Sequence, residues 1–126
     1  MKYLIAVPLI IVGIIHLLPV SGVSGARSLA GLYGIALDEP NLTILMRHRA
    51  VLFGLLGAFL IYAAFDTRLQ ALGYIAGFVS VGAFLYLACS TGHLTAQLWR
   101  VVLIDVLATV ALVIGAGARF WQAHAA

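Results

Sequence analysis

The stretch LMRHRAVLFG, residues 45–54, sets Arg47, His48 and Arg49 at the head of an apolar run that continues to Phe65, with no acid beside them in sequence. Few other groups can do chemistry: His16 in the first apolar segment, His93 in a short polar link, Arg100 beside Trp99, and Asp105 just beyond. An ionisable group in hydrocarbon costs roughly 2.5–3.5 kcal/mol on insertion scales and is retained where it faces a bundle interior or a cavity. Arginines with a carboxylate and an imidazole suit the polar head of a small amphiphile. Arginine donates planar, paired hydrogen bonds, the acid orients it, and histidine exchanges a proton near neutral pH. Arg47, His48, Arg49, Asp105, His16 and Arg100 are therefore the candidate ligand-binding residues. The expected ligand is a quinone, a lipid head group or a small anion, with any tail between helices. His16, His48 and His93 form an alternative donor set for zinc or copper, and His16 with His48 or His93 an alternative pair for haem; no close HxxxH spacing supports either.

Composition decides the solvent around these groups. Hydrophobic residues make up 64% of the 126 and charged residues 9%, with a mean hydropathy of +1.15, whereas soluble domains are about 45–50% apolar. The bilayer is the solvent such a chain demands. A net charge of +3, spread over seven basic and four acidic residues without a basic cluster interleaved with aromatics, excludes a nucleic-acid partner. Cys89 stands alone in an apolar stretch, so it forms no internal disulfide and reads as a small hydrophobe.

Four apolar segments must position the site, and they predict helices over approximately residues 3–20, 42–65, 69–90 and 98–118 of one transmembrane domain, 1–126. About 20 helical residues cross about 30 Å of hydrocarbon. Backbone groups in lipid have no water to bond, and the alternation of a barrel strand is absent, so each span is helical. Met1-Lys2, an apolar core and small residues over 21–26 also have the three regions of a signal peptide. A retained first helix is the expectation, because three remaining helices would put the termini on opposite faces.

The links around 66–68 and 90–97 are short enough to force neighbouring helices to run in opposite directions. The fold class expected is therefore all-α: an integral membrane antiparallel four-helix bundle, with a short interfacial or re-entrant helix between helices 1 and 2. That short helix falls in the Gly-rich link 21–41, where residues 26–37 place Leu29, Leu32, Tyr33 and Leu37 on one side, as in a lid. Asn41 or Thr43 is expected to cap the next helix. Gly73 and Gly77 form a GxxxG pair, and Gly54 with Ala58 repeats the spacing, which suits close packing within a bundle or a homo-oligomer.

If the first helix starts on one face, then His16, the Arg47–Arg49 triplet, His93, Arg100, Asp105 and the lid all gather at the other, with His16, Arg49 and Asp105 at depths of about 6–10 Å. Asp105 then supplies in space the acid missing beside Arg47 and Arg49. These two arginines point about 200° apart on a helix, so one turns inward and the other reaches to head groups. Lys2, Asp66, Arg68, Arg119 and His124 flank the opposite face, expected to be cytoplasmic with both termini. Two other classes compete. A small-solute transporter is one; small four-helix exporters carry a carboxylate in the first helix, and none stands here. A structural small subunit of a larger membrane complex is the other, its polar face meeting a partner subunit.

Taken in order, a first helix ending in Pro19, the segment GARSLAGLYG, the run MRHRAVLFGLLGAFLIYAAF and the last helix RVVLIDVLATVALVIG resemble the small DoxX-like four-helix bacterial membrane proteins. The resemblance covers most of the chain and rests on hydropathy and glycine placement. It implies a bacterial inner-membrane location and a role near quinone-linked redox chemistry, and it carries over no site residues. Ser90-Thr91-Gly92-His93 has only a superficial likeness to the nucleotide motif of phosphopantetheine adenylyltransferases, since a membrane bundle offers no sheet to place a phosphate.

Overall fold

The computed structural model describes residues 1–125, all of whose regular structure is helical. Helix α1 spans Lys2–Leu17 and passes directly into a 3-10 segment, Leu18–Ser24; α2 spans Ala26–Tyr33, α3 Pro40–Phe65, α4 Gln70–Thr91 and α5 Ala96–Ala125. Four of these stretches, Lys2–Ser24, Pro40–Phe65, Gln70–Thr91 and Ala96–Ala125, are long and apolar enough to cross a membrane. Their outward faces carry large apolar side chains such as Leu4, Leu55, Ile75, Leu107 and Val113, each more than half exposed. A surface of that kind needs lipid to cover it, and the protein is of the multi-pass membrane type.

Local chemistry sets the helix ends. Pro19 has no N–H and its ring crowds the carbonyl of Ile15, so the α-ladder tightens just before it: Leu18 N–H bonds Ile15 O, and the chain proceeds as a 3-10 segment. Gly34, at φ 66°, stops α2 in the left-handed region, which a side chain would resist. The expected cap on α3 is corrected. Glu39, not Asn41 or Thr43, caps it: Pro40 occupies the first helical position, and the longer Glu39 carboxylate reaches the N–H groups of Asn41 (3.0 Å) and Leu42 (2.6 Å). Thr43 instead donates its hydroxyl to Leu37 O and Glu39 O. The link between α3 and α4 is held by Asp66, whose carboxylate accepts from the Arg68 backbone N–H and, in a two-toothed pair, from its guanidinium at 3.1 and 2.9 Å. α5 runs on to Ala125, past the apolar boundary expected near residue 118, because nothing from Arg119 onward breaks a helix.

Helix α1 lies at the centre, packed on α3, α5 and α4. Its core partners include Leu9 and Val12 against Leu60, Val81 and Leu112. Glycine sets the closest crossing. A Cβ on Gly57 would stand 2.7 Å from Gly13 O, and one on Gly13 2.8 Å from Gly57 O, so α1 and α3 meet backbone to backbone. The GxxxG pair serves two neighbours within the chain, Gly73 facing Ala63 of α3 and Gly77 facing Leu112 of α5. Pro8 removes a backbone bond inside α1, and in the same turn Tyr74 of α4 donates its hydroxyl to Ile5 O at 2.6 Å.

A second, smaller core seats α2. Leu29, Tyr33 and Leu37 are buried against Leu32, Met46 and Leu98, and the α2 end is tied to the start of α5 by Thr95, which donates to Tyr33 O at 2.6 Å. The Thr95 hydroxyl also accepts from Leu98 N–H, capping α5. One side chain thus joins the end of α2 to the beginning of the last long helix.

Candidate functional site

Beneath α2 lies a cavity of about 310 Å³ whose wall draws on every helix. Its polar groups arrive from different elements: His16 from α1, Tyr33 from α2, Arg49 from α3, Ser80 from α4, and Gln97, Arg100 and Asp105 from α5. Phe53, Phe84, Leu32, Val101 and Ile104 fill the spaces between them. The volume falls at the lower end of the range of small-molecule sites, which combine a few convergent polar groups with apolar walls.

His16 is almost fully enclosed, 3% exposed. Its Nδ1 lies 2.8 Å from Val12 O, one turn back in the same helix, and a carbonyl can only accept, so Nδ1 carries a proton. Nε2 then faces the Ser80 hydroxyl at 2.8 Å; the neutral ring accepts from it and the protonated ring donates to it. The imidazole also rests at a tilt on Phe53, ring centres 5.5 Å apart. His16 and Ser80 together form a link through which a proton can change hands between α1 and α4.

Arg49 enters from α3 and is steered by aromatics. Its guanidinium donates to the Tyr33 hydroxyl at 2.8 Å and lies over the Phe53 ring, 4.4 Å from the centroid, with Tyr33 at 5.4 Å. Such cation–π contacts strengthen once water is removed. Among the described residues, one of the guanidinium's five N–H donors is engaged in a hydrogen bond.

Asp105 is 8% exposed and lines the same cavity. The expectation that it pairs directly with an inward arginine is corrected: among the described residues the ion pair within 4.0 Å is Arg68–Asp66, and the Asp105 carboxylate makes no hydrogen bond. Among the described residues no wholly shielded side-chain oxygen or nitrogen lacks a partner, so the Asp105 carboxylate meets the open space of the cavity. Arg49 and Asp105 line the same cavity without forming an ion pair within 4.0 Å, Arg49 donating to Tyr33 and resting over Phe53. Both groups face inward with bonding capacity unspent.

Of the six residues singled out in sequence, His16, Arg49, Arg100 and Asp105 reach the cavity wall, while Arg47 and His48 do not. Arg47 is exposed and donates through Nε to Val23 O at 2.7 Å, pinning the 3-10 segment, and His48 is exposed on the outer side of α3. Helical geometry makes the split unavoidable: two residues apart is more than half a turn. The histidine donor set for metal or haem is corrected as well. His16 is buried on Ser80 while His48 and His93 are exposed, and no three His, Cys, Asp or Glu side chains converge among the described residues. Tyr33, Ser80 and Gln97 were missed as site residues. Ser80 left a signal, a lone hydroxyl midway along an apolar helix; Tyr33 left none beyond its place on the apolar side of α2.

Outside the spans, two carboxyls titrate low. The N–H groups of Asn41 and Leu42 hold Glu39 below the usual carboxylate range, and the Arg68 guanidinium does the same for Asp66, which in turn raises Arg68.

Comparison of the chain with family models, with curated proteins and with solved structures finds no match.

Proposed function

We propose that this protein binds a small amphiphilic ligand whose polar head occupies the cavity beneath α2 and whose tail lies along the apolar walls between helices. The observation that carries this is the meeting of Arg49 and Asp105 on one cavity, both with hydrogen-bonding capacity left over and neither paired to the other. Uncompensated polar groups are costly in an apolar interior, and a guest that bonds to them offsets the cost. Phe53, Phe84, Val101 and Ile104 supply the apolar surface that a bare anion would leave unused. Quinones and lipids of matching size belong to this class, and the DoxX-like resemblance favours a role as a redox-associated subunit.

In this proposal the four long helices run up and down as a bundle in the bacterial inner membrane, with α2 lying at one interface over the cavity mouth. Both termini are cytoplasmic. With Arg49 and Arg100 on the cavity wall and Arg47 bonded to Val23 O, three of the four arginines that would argue the opposite orientation have other roles and Arg27 alone is left, so Lys2, Arg68 and Arg119 mark the cytoplasmic face.

The test is thermal unfolding of the purified protein in zwitterionic nanodiscs against a decyl-tailed benzoquinone, its hydroquinone and a decyl phosphate. At least one should stabilise saturably, with the effect abolished in Arg49→Ala and kept within about twofold in Arg47→Ala and His48→Ala. Absence of saturable stabilisation by all three sinks the proposal. A Soret band or stoichiometric metal in the purified protein would replace it with a haem or metal reading.

A further inference from the structure

The cavity's polar groups are of opposite kinds, and that restricts the guest further than size does. Arg49 and Arg100 only donate. Tyr33 accepts from Arg49, which leaves its own hydroxyl hydrogen to give. The Asp105 carboxylate only accepts, is more than nine-tenths buried and has no partner among the described residues. An anionic head would satisfy the arginines and be repelled by Asp105. A cationic head would satisfy Asp105 and be repelled by Arg49 and Arg100. A neutral head with acceptors alone, such as a quinone or an ether, would displace water from Asp105 without replacing its hydrogen bond, and an unmade hydrogen bond to a charged group is expensive. A neutral hydroxyl meets both demands, donating its hydrogen to Asp105 while its oxygen accepts from an arginine. Three aromatic rings, Tyr33, Phe53 and Phe84, stand on the same wall, and flat rings prefer the faces and edges of other rings.

We infer that the site selects an uncharged hydroxyaromatic head, a phenol or hydroquinone on an apolar tail, with Asp105 accepting the hydroxyl hydrogen and Arg49 donating to the head's oxygen. This rests on the proposed ligand-binding function and narrows it. The selection comes from unlike polar groups that line one cavity without pairing: Arg49 is bonded to Tyr33 and rests over Phe53, and both it and Asp105 remain available to the guest. Sites built to bond a hydroxyl discriminate strongly against the analogue lacking it, because their own buried groups are then left unpaired.

The experiment uses one tail and six heads. Anaerobic binding to the 126-residue protein in zwitterionic nanodiscs is measured by isothermal titration for 4-decylphenol, its methyl ether, decylhydroquinone, decylbenzoquinone, decyl phosphate and decylammonium. The hydroxyl-bearing pair should bind at least about tenfold more tightly than the methyl ether, the quinone, the phosphate and the ammonium, the factor expected for one hydrogen bond to a charged group. Asp105→Ala should erase most of that difference, weakening the hydroxyl-bearing pair and tightening the quinone and the methyl ether, which no longer leave a carboxylate unbonded. The comparison of heads in the unaltered protein stands even if the variant does not fold. Equal or tighter binding of the methyl ether, quinone, phosphate or ammonium, still lost in Arg49→Ala, overturns the hydroxyl selection and leaves the ligand-binding function intact. No saturable binding by any head overturns both. A preference for phenol over hydroquinone marks a simple phenolic guest; the reverse marks a reduced quinone.

Discussion

Arg49 donates to the Tyr33 hydroxyl at 2.8 Å, and this one bond joins α3, the second long segment of the chain, to the short helix that covers the cavity. It does two things at once. It holds α2 down at its C-terminal end, where Thr95 holds the backbone of the same residue, and it occupies a guanidinium donor on the wall of the cavity that Asp105 also lines.

Tyr33→Phe separates those roles. The ring stays to pack beside Leu29 and Leu37, but Arg49 loses its acceptor. A bond to a charged group contributes about 1.5–3 kcal/mol, so reversible unfolding in mixed micelles should show a loss of that size or somewhat less. Amide exchange in Ala26–Tyr33 should speed up while exchange in α4 stays unchanged. Unchanged protection in α2 would show that Thr95 and the small core suffice to hold it.

The α1–α3 crossing should tolerate no methyl group. In Gly57→Ala the new carbon would press on the Gly13 carbonyl at 2.7 Å, and backbone cannot step aside as a side-chain tip can. A loss of about 1–3 kcal/mol is expected, as for overpacked cores. Gly82 makes the control: a Cβ there meets nothing within 4 Å, and Gly82→Ala should be neutral or stabilise by up to about 1 kcal/mol through helix propensity. Denaturation midpoints of the two variants side by side decide the point, and equal behaviour would contradict the packing described.

His16 and Ser80 should act as a couple. Ser80→Ala leaves Nε2 of a ring that is 3% exposed without its partner, at a cost of about 1–3 kcal/mol. His16→Leu with Ser80→Ala removes both polar partners, so the double variant should lose clearly less than the two single losses combined. Simple additivity in this double-mutant cycle would mean that the bond contributes nothing to folding.

Acid should loosen the start of α3 first. Glu39 has its pKa lowered in the folded chain from an ordinary 4.5 by the N–H groups it caps. Its contribution is therefore fully present above the ordinary value and is lost as pH falls through the lower folded value. Corrected for intrinsic exchange rates, amide protection at Asn41 and Leu42 should fall below about pH 4.5 and be insensitive to pH in Glu39→Gln. The Asp66–Arg68 turn should follow the same sign, since the guanidinium lowers Asp66 in the same way. Protection that rises on acidification would refute the cap.

What the amino-acid sequence determined by itself is the solvent and the elements. Apolar run length specifies the spans, and proline and glycine punctuate them, because hydrocarbon forces each segment to satisfy its own backbone; four long helices and a short one in the Gly-rich link were legible for that reason. Caps were less so, since Glu39 and Thr95 compete with neighbours of similar chemistry and only local geometry selects between them. The tertiary structure alone decided which polar groups meet. Rotation about each helix axis sent Arg49 inward and Arg47 out to Val23 O, a difference fixed by packing between helices and invisible in the spacing of an arginine triplet. Side-chain partners did the rest: Arg49 bonds Tyr33 and rests over Phe53 without pairing with Asp105, so a sequence that offers an ion pair folds instead into a cavity that both residues line.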